Sequence, residues 1–239
     1  MKTQPNIAIS KYQQPASSGT GTFLRDNGLS IAMGLLFLVS IIGQSVAGFH
    51  DHNDELAAHQ QAQVTFGEYL RSGSFIESVF ENWESEFLQM GAYVVLTVML
   101  YQRGSPESKD PDKDEKVDAD PRESQSDPEA PGPVRAGGWI LKLYEHSLGL
   151  ALFGLFAISF VLHGYGGVRA YNQDQLLHGQ QQISMLAYFG TARFWFESLQ
   201  NWQSEFLSVL VLVLLSIVLR QRGSSESKPV ASPHHETGH

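Results

Sequence analysis

The chain has 239 residues, a net charge of −9 and a charged fraction of 17%, low against the roughly 25% typical of soluble proteins. It contains no cysteine, which excludes disulfides, thiolate metal sites, iron-sulfur clusters and cysteine nucleophiles together. No Lys/Arg block runs through it, so the basic track that follows nucleic-acid phosphates is missing and no nucleic-acid partner is expected.

The mean hydropathy of −0.16 averages long uncharged segments with a strongly acidic centre, and the segments must be read separately. Residues 1–22 are polar and lack the apolar core of a cleaved signal peptide, so they read as a disordered cytoplasmic lead. Residues 23–104 form a first two-span unit. Its leading apolar run, Leu29 to Gly48, carries no charge and is long enough to cross a hydrocarbon core of about 30 Å. Ser40, Gln44 and several glycines along it suit close contact with another helix.

The following loop is expected to carry amphipathic helices. Asn53 to Gln63 is rich in Ala, Leu, Glu and Gln, and Thr65 with Glu68 and Ser74 with Glu77 fit the capping-box spacing. The second box predicts one helix from Phe75 to about Tyr101. The trailing apolar run, Phe87 to Tyr101, is too short to span alone, so the helix must enter the membrane near Trp83.

Residues 105–138 are Asp, Glu, Pro and Ser with almost no large apolar side chain, the composition of a disordered acidic tether. Residues 139–223 then repeat the first unit. A shift of 119 residues lays Leu24–Lys109 on Leu143–Lys228 without a gap, with roughly a third of the positions identical. The matches include Asn82-Trp83-Glu84-Ser85-Glu86-Phe87-Leu88 with Asn201-Trp202-Gln203-Ser204-Glu205-Phe206-Leu207, and Gln102 to Lys109 with Gln221 to Lys228. In the second loop Phe194, Trp195, Phe196 and Trp202 gather at one level, as aromatic rings do at a membrane interface. Residues 224–239 read as a disordered tail with His234, His235 and His239.

The expected fold is an all-α membrane protein with four transmembrane helices, arranged as two tandem helical hairpins with amphipathic helices in the outer loops. Lys and Arg concentrate in the N-terminal segment, the central linker and the tail, which places both termini in the cytoplasm and the hairpin loops outside.

One polar constellation invites chemistry. Asn82, Ser85, Glu86 and Gln89 are spaced i, i+3, i+4, i+7, and Asn201, Ser204, Glu205 and Ser208 repeat the spacing, which puts each set on one helix face. Topology sets Gln44 and His163 at a similar depth. The candidate polar cluster is therefore Glu86, Glu205, Gln44, His163, Asn82, Asn201, Ser85 and Ser204, with Glu205 and His163 as its titrating pair. An ionisable group within a membrane is a functional candidate because burying it is costly. Helix capping and packing between helices account for the same residues, and that structural reading is favoured.

No catalytic residue, metal or cofactor is assigned. No Walker loop, GxSxG or HExxH occurs, and with only His163 well inside a span the two axial ligands of an intramembrane haem are lacking. His50 and His52 with Asp51, Asp54 and Glu55 form an outer-face group able to hold zinc, without a counterpart in the second half.

The heptad NWxSEFL, followed after an apolar run by QRGSxESK, resembles an uncharacterised family of small bacterial integral membrane proteins classed as a domain of unknown function. The resemblance covers both halves. It implies location in a bacterial cytoplasmic membrane and carries no activity. Three roles remain: a non-enzymatic scaffold or accessory subunit, which is favoured; a proton- or cation-conducting module using Glu86 and Glu205 with Gln44 and His163; and a metal-dependent membrane enzyme with its metal at the outer face. The expected partners are the lipid bilayer and either a second copy or another membrane protein.

Overall fold

The computed structural model describes residues 20–238. Its described residues are helical with turns and contain no strand. The chain divides into two compact units, one ending at Gln63 and the other running from Val64 onward.

The first unit holds α1 (Thr20–Asp26) and α2 (Gly28–Ala58). At 31 residues α2 is about 46 Å long. The Ala-rich stretch expected to start a separate loop helix instead extends α2 to Ala58, because nothing in Gly48 to Ala58 breaks the helix. Leu35, Leu36, Phe37, Leu38 and Val39 are exposed in succession, so apolar side chains point outward all round this part of the helix.

In the second unit the elements are α3 (Phe66–Tyr69), α4 (Gly73–Met99), α5 (Gly132–Ala136), α6 (Gly138–Glu145), α7 (Ser147–Leu177), α8 (Met185–Tyr188) and α9 (Ala192–Val218). The same 119-residue shift that aligns the sequence carries the bounds of α2, α3 and α4 onto those of α7, α8 and α9. Each loop thus contains a single helical turn where amphipathic helices were expected. Thr65 and Glu68 do form a capping box around α3, and at the matching place Ser184 caps α8 without a glutamate to return the bond. Ser72 opens α4, two residues before the serine that spacing suggested, and Thr191 opens α9 in the same way.

Among the described residues three helices, α2, α7 and α9, are long and apolar enough to cross a membrane, where four were expected. The 27 residues of α4 give it the length, but Glu77, Glu81, Glu84 and Glu86 lie along it and lower its apolar character.

The main packing in this unit is α4 on α7, with α9 also against α4 and α8 on α7. Glycine makes the first contact as close as it is. A Cβ added at Gly166 would lie 2.9 Å from the Cα of Glu77 and nearer still to its amide, and one added at Gly73 would lie 2.7 Å from the Gly166 carbonyl oxygen. Backbone therefore meets backbone where α4 begins, the close approach that small residues permit between helices.

The two QRGSxESK copies fold alike. Ser108 Oγ accepts from the Gln102 amide at 2.8 Å, and Ser227 Oγ accepts from the Gln221 amide at 2.9 Å. Ser105 and Ser224 each accept from the amide of the glutamate two residues on. Gly104 and Gly223 sit at φ of 83° and 85°, a region open to glycine at little cost. The motif is thus a helix-terminating turn.

The linker expected to be a free tether carries two 3₁₀ turns, Lys116–Asp118 and Pro121–Ser124, and surface pairs such as Arg103 with Asp112. The tail makes contacts of its own. Lys228 is 1% exposed and donates to the carbonyls of Gly104, His234 and Glu236 at 2.5, 3.0 and 2.9 Å. Those bonds fasten the C-terminal segment to the turn that follows α4. Burial pushes the Lys228 ammonium pKa below the usual lysine range.

Candidate functional site: a buried histidine among carboxylates

The glycines of α7 bring α4 and α8 inward, and ionisable residues fill the space around them. His163 lies one residue before Gly164 and is 0% exposed. Its Nδ1 is 3.0 Å from Oε2 of Glu84, on α4, which is also wholly buried. A carboxylate can only accept there, so Nδ1 carries a proton and donates it to Glu84. His163 Nε2 is buried and has no hydrogen-bond partner. Facing it at 3.7 Å is Oε2 of Glu197 on α9, beyond hydrogen-bond reach.

The carboxylates are positioned in turn. The second oxygen of Glu84 accepts from Trp202 Nε1 at 3.1 Å. Glu197 Oε1 accepts from Arg193 Nε at 2.9 Å, one helical turn away. The Tyr188 hydroxyl, at the end of α8, lies 2.9 Å from Glu197 Oε2 and 3.1 Å from Glu77 Oε1. It has one proton for two carboxylates. Burial, with Glu77 and Glu197 beside it, raises the Tyr188 pKa well above the usual phenol range and keeps that proton in place. Tyr188 and Phe194 are both 0% exposed and pack edge to face, and Phe194 stacks on the His163 ring. Phe194, one of the aromatics expected at the lipid interface, instead forms the apolar wall of this site.

Glu77, His163 and Glu197 each offer one ligand atom, and these atoms all lie within 4.8 Å of one another. Three potential ligand atoms thus converge, two of them on buried residues and one on the partly buried Glu197. Such an arrangement suits a cation, and among the described residues this is the converging group rather than His50 with His52.

Of the eight residues marked from sequence, His163 is at the centre. Ser85 is buried but spends its hydroxyl on the Asn82 carbonyl oxygen. Asn201 donates to Glu81, and to the Glu197 carbonyl oxygen at 3.2 Å. Asn82, Glu86, Ser204 and Gln44 are exposed, and Glu205 is partly exposed. The carboxylates that meet His163 are Glu84 and Glu197, where Glu205 was expected. On α4 helix geometry explains why Glu84 and not Glu86 meets α7: the two are about 200° apart around the helix, so orienting one toward α7 turns the other away.

Sequence reasoning missed Glu77, Glu84, Glu197, Tyr188 and Arg193. A signal existed, since Glu77, Glu81 and Glu84 are spaced i, i+4, i+7 and share a face of α4.

A helical membrane protein with an ionisable centre is the class this fold and site describe. A family model for a domain of unknown function, DUF6766, matches residues 20–239, and the chain belongs to that family. No curated protein and no solved structure matches the chain.

Proposed function

We propose that the chain is a four-span integral membrane protein that takes up a cation at the buried centre around His163. The observation that carries this reading is a wholly buried imidazole whose unpartnered Nε2 faces carboxylates between long apolar helices. Burying such groups is expensive, and in membrane helices they mark ion sites and pathways.

The fourth span is α4. Its Glu77 and Glu84 are buried, which removes two of its four carboxyl groups from the lipid-facing surface, and Glu81 is partly buried while Glu86 stays exposed. The two halves are a tandem duplication, supported by helix bounds that repeat at the sequence shift. The distribution of Lys and Arg favours cytoplasmic termini, and the motif resemblance favours a bacterial cytoplasmic membrane. A scaffold or accessory-subunit role, with a second copy or another membrane protein as partner, is the second reading. The backbone-close glycine contact between α4 and α7 favours it, since packing of that kind needs no ion.

The test is ion uptake into proteoliposomes, with H⁺, Na⁺, Mg²⁺ and Zn²⁺ tried in turn against the Glu197→Gln and Glu77→Gln variants. Uptake of at least one ion that both variants reduce supports the proposal. No uptake of any ion, with folded protein in the vesicles, leaves the scaffold reading.

A further inference from the structure

The cation site is specified more closely by what surrounds its ligands. Three carboxylates, Glu77, Glu84 and Glu197, gather around His163 and Tyr188, with one guanidinium, Arg193, on Glu197.

The donor set is mixed, one imidazole nitrogen and two carboxylate oxygens, which suits a borderline first-row ion better than calcium or magnesium with their all-oxygen shells. Tetrahedral zinc with bonds of about 2.0 to 2.1 Å places its ligand atoms about 3.3 Å apart. His163 Nε2 and Glu197 Oε2 are 3.7 Å apart, close to that edge.

The supports around these ligands make the stronger argument. A metal-ligating histidine characteristically gives its other N–H to a carboxylate, which fixes the tautomer and ring orientation. His163 does this with Glu84, and Trp202 holds Glu84 in place through its second oxygen. Ligating carboxylates are likewise held by hydrogen bonds: Arg193 holds Glu197, and the Tyr188 hydroxyl reaches both Glu197 and Glu77.

We propose that Glu77, His163 and Glu197 bind a divalent first-row transition metal, with Glu84 orienting His163 and Arg193 and Tyr188 orienting the carboxylates. This rests on the cation-binding reading of the same centre and commits it to one class of ion. A fourth position is left for water or another small donor.

The experiment uses full-length protein in detergent, stripped with chelator, dialysed and titrated with Zn²⁺, with stoichiometry checked by elemental analysis. Because His234, His235 and His239 could collect zinc by themselves, the titration is made in a variant with all three changed to Ala. The expected result is one tightly held Zn²⁺ per chain that survives the tail substitutions. Glu77→Gln and Glu197→Gln should abolish retention, while Glu84→Gln, which leaves the three ligands in place, should weaken binding about 10- to 100-fold. X-ray absorption of the zinc-loaded protein should show nitrogen and oxygen ligands including one imidazole.

Circular dichroism and detergent-exclusion profiles identify any variant that fails to fold. For such a variant the Glu→Asp form, which shortens the ligand but keeps its charge, replaces it, with weakened binding expected. Zinc bound only through the tail histidines, or binding unchanged by the Glu77 and Glu197 substitutions, overturns the metal assignment. Proton or sodium uptake sensitive to those substitutions, without zinc retention, overturns this inference and leaves the broader proposal standing. Absence of both defeats both.

Discussion

Gly166→Ala tests the close contact on which the site is built. The added methyl would lie 2.9 Å from Glu77 Cα, whereas ordinary contact begins at 3.4 Å, and the obstructing atoms are backbone that no rotamer change can move. Relief requires α4 and α7 to part locally by at least about half an ångström, with the larger shift set by the Glu77 amide. Overpacking of this kind costs about 1 to 3 kcal/mol, and the rigid neighbour places it at the upper end. The higher helix propensity of alanine returns about 1 kcal/mol, leaving a net loss of about 2 kcal/mol, some 30-fold in the folded-to-unfolded ratio.

Gly154, also on α7, is the control, because an added Cβ there meets nothing within 4 Å. Gly154→Ala should keep the propensity gain of about 1 kcal/mol. Titration with SDS in mixed micelles, followed by far-ultraviolet circular dichroism, measures both. The two substitutions should move the midpoint in opposite directions. Equal shifts, or a Gly166→Ala protein as stable as the wild type, would refute the backbone contact.

Three further outcomes are expected. Trp202→Phe keeps a ring beside Phe156 but removes the donor to the buried Glu84 carboxylate; a loss of about 1.5 to 3 kcal/mol in the same unfolding titration follows from a hydrogen bond to a charged group, and no loss would mean that the bond does not form. At α3 the Thr65 amide and hydroxyl hold the Glu68 carboxyl below the usual glutamate range. The contribution of this cap is therefore fully present above the ordinary value of 4.5 and lost as pH falls through the lower folded value; amide-exchange protection at Thr65 should decline on acidification in wild type and stay flat in Glu68→Gln. Lys228→Met removes the donor shared by four carbonyls, so cleavage after Glu236 by a glutamate-specific protease should accelerate several-fold, and an unchanged rate would show that the tail is held by other bonds.

What the sequence disclosed was set by periodicity and local chemistry. Apolar runs and a 119-residue self-match reveal long helices and their spacing, because each depends on residues near one another in the chain. The Thr65 and Glu68 capping box was legible for the same reason. Helix starts at Ser72 and Thr191 were less so: Ser72 and Ser74 both stand near the start, and only backbone conformation decides between them. The site itself depends on which face of α4 meets α7. Identity between the halves drew attention to Glu86 and Glu205, but the face that turns inward carries Glu77 and Glu84, neither of which is repeated.

That mismatch bears on how the two halves divide their work. Residues shared by both copies, such as the QRGSxESK serines and glycines, make the same turn bonds in each and need no asymmetry. The ionisable groups around His163 have lost or gained charge between copies: His163 aligns with Gln44, Glu77 with Phe196, Glu84 with Gln203 and Glu197 with Ser78, whereas the aromatic residues Tyr188, Phe194 and Trp202 retain their type, as Tyr69, Phe75 and Trp83. A symmetric counterpart assembled from these positions would contain no imidazole and no carboxylate, and so could not supply the charge that a buried cation requires. The shared residues therefore specify a helical frame that the chain uses twice, and the differing residues equip it with an ionisable centre once.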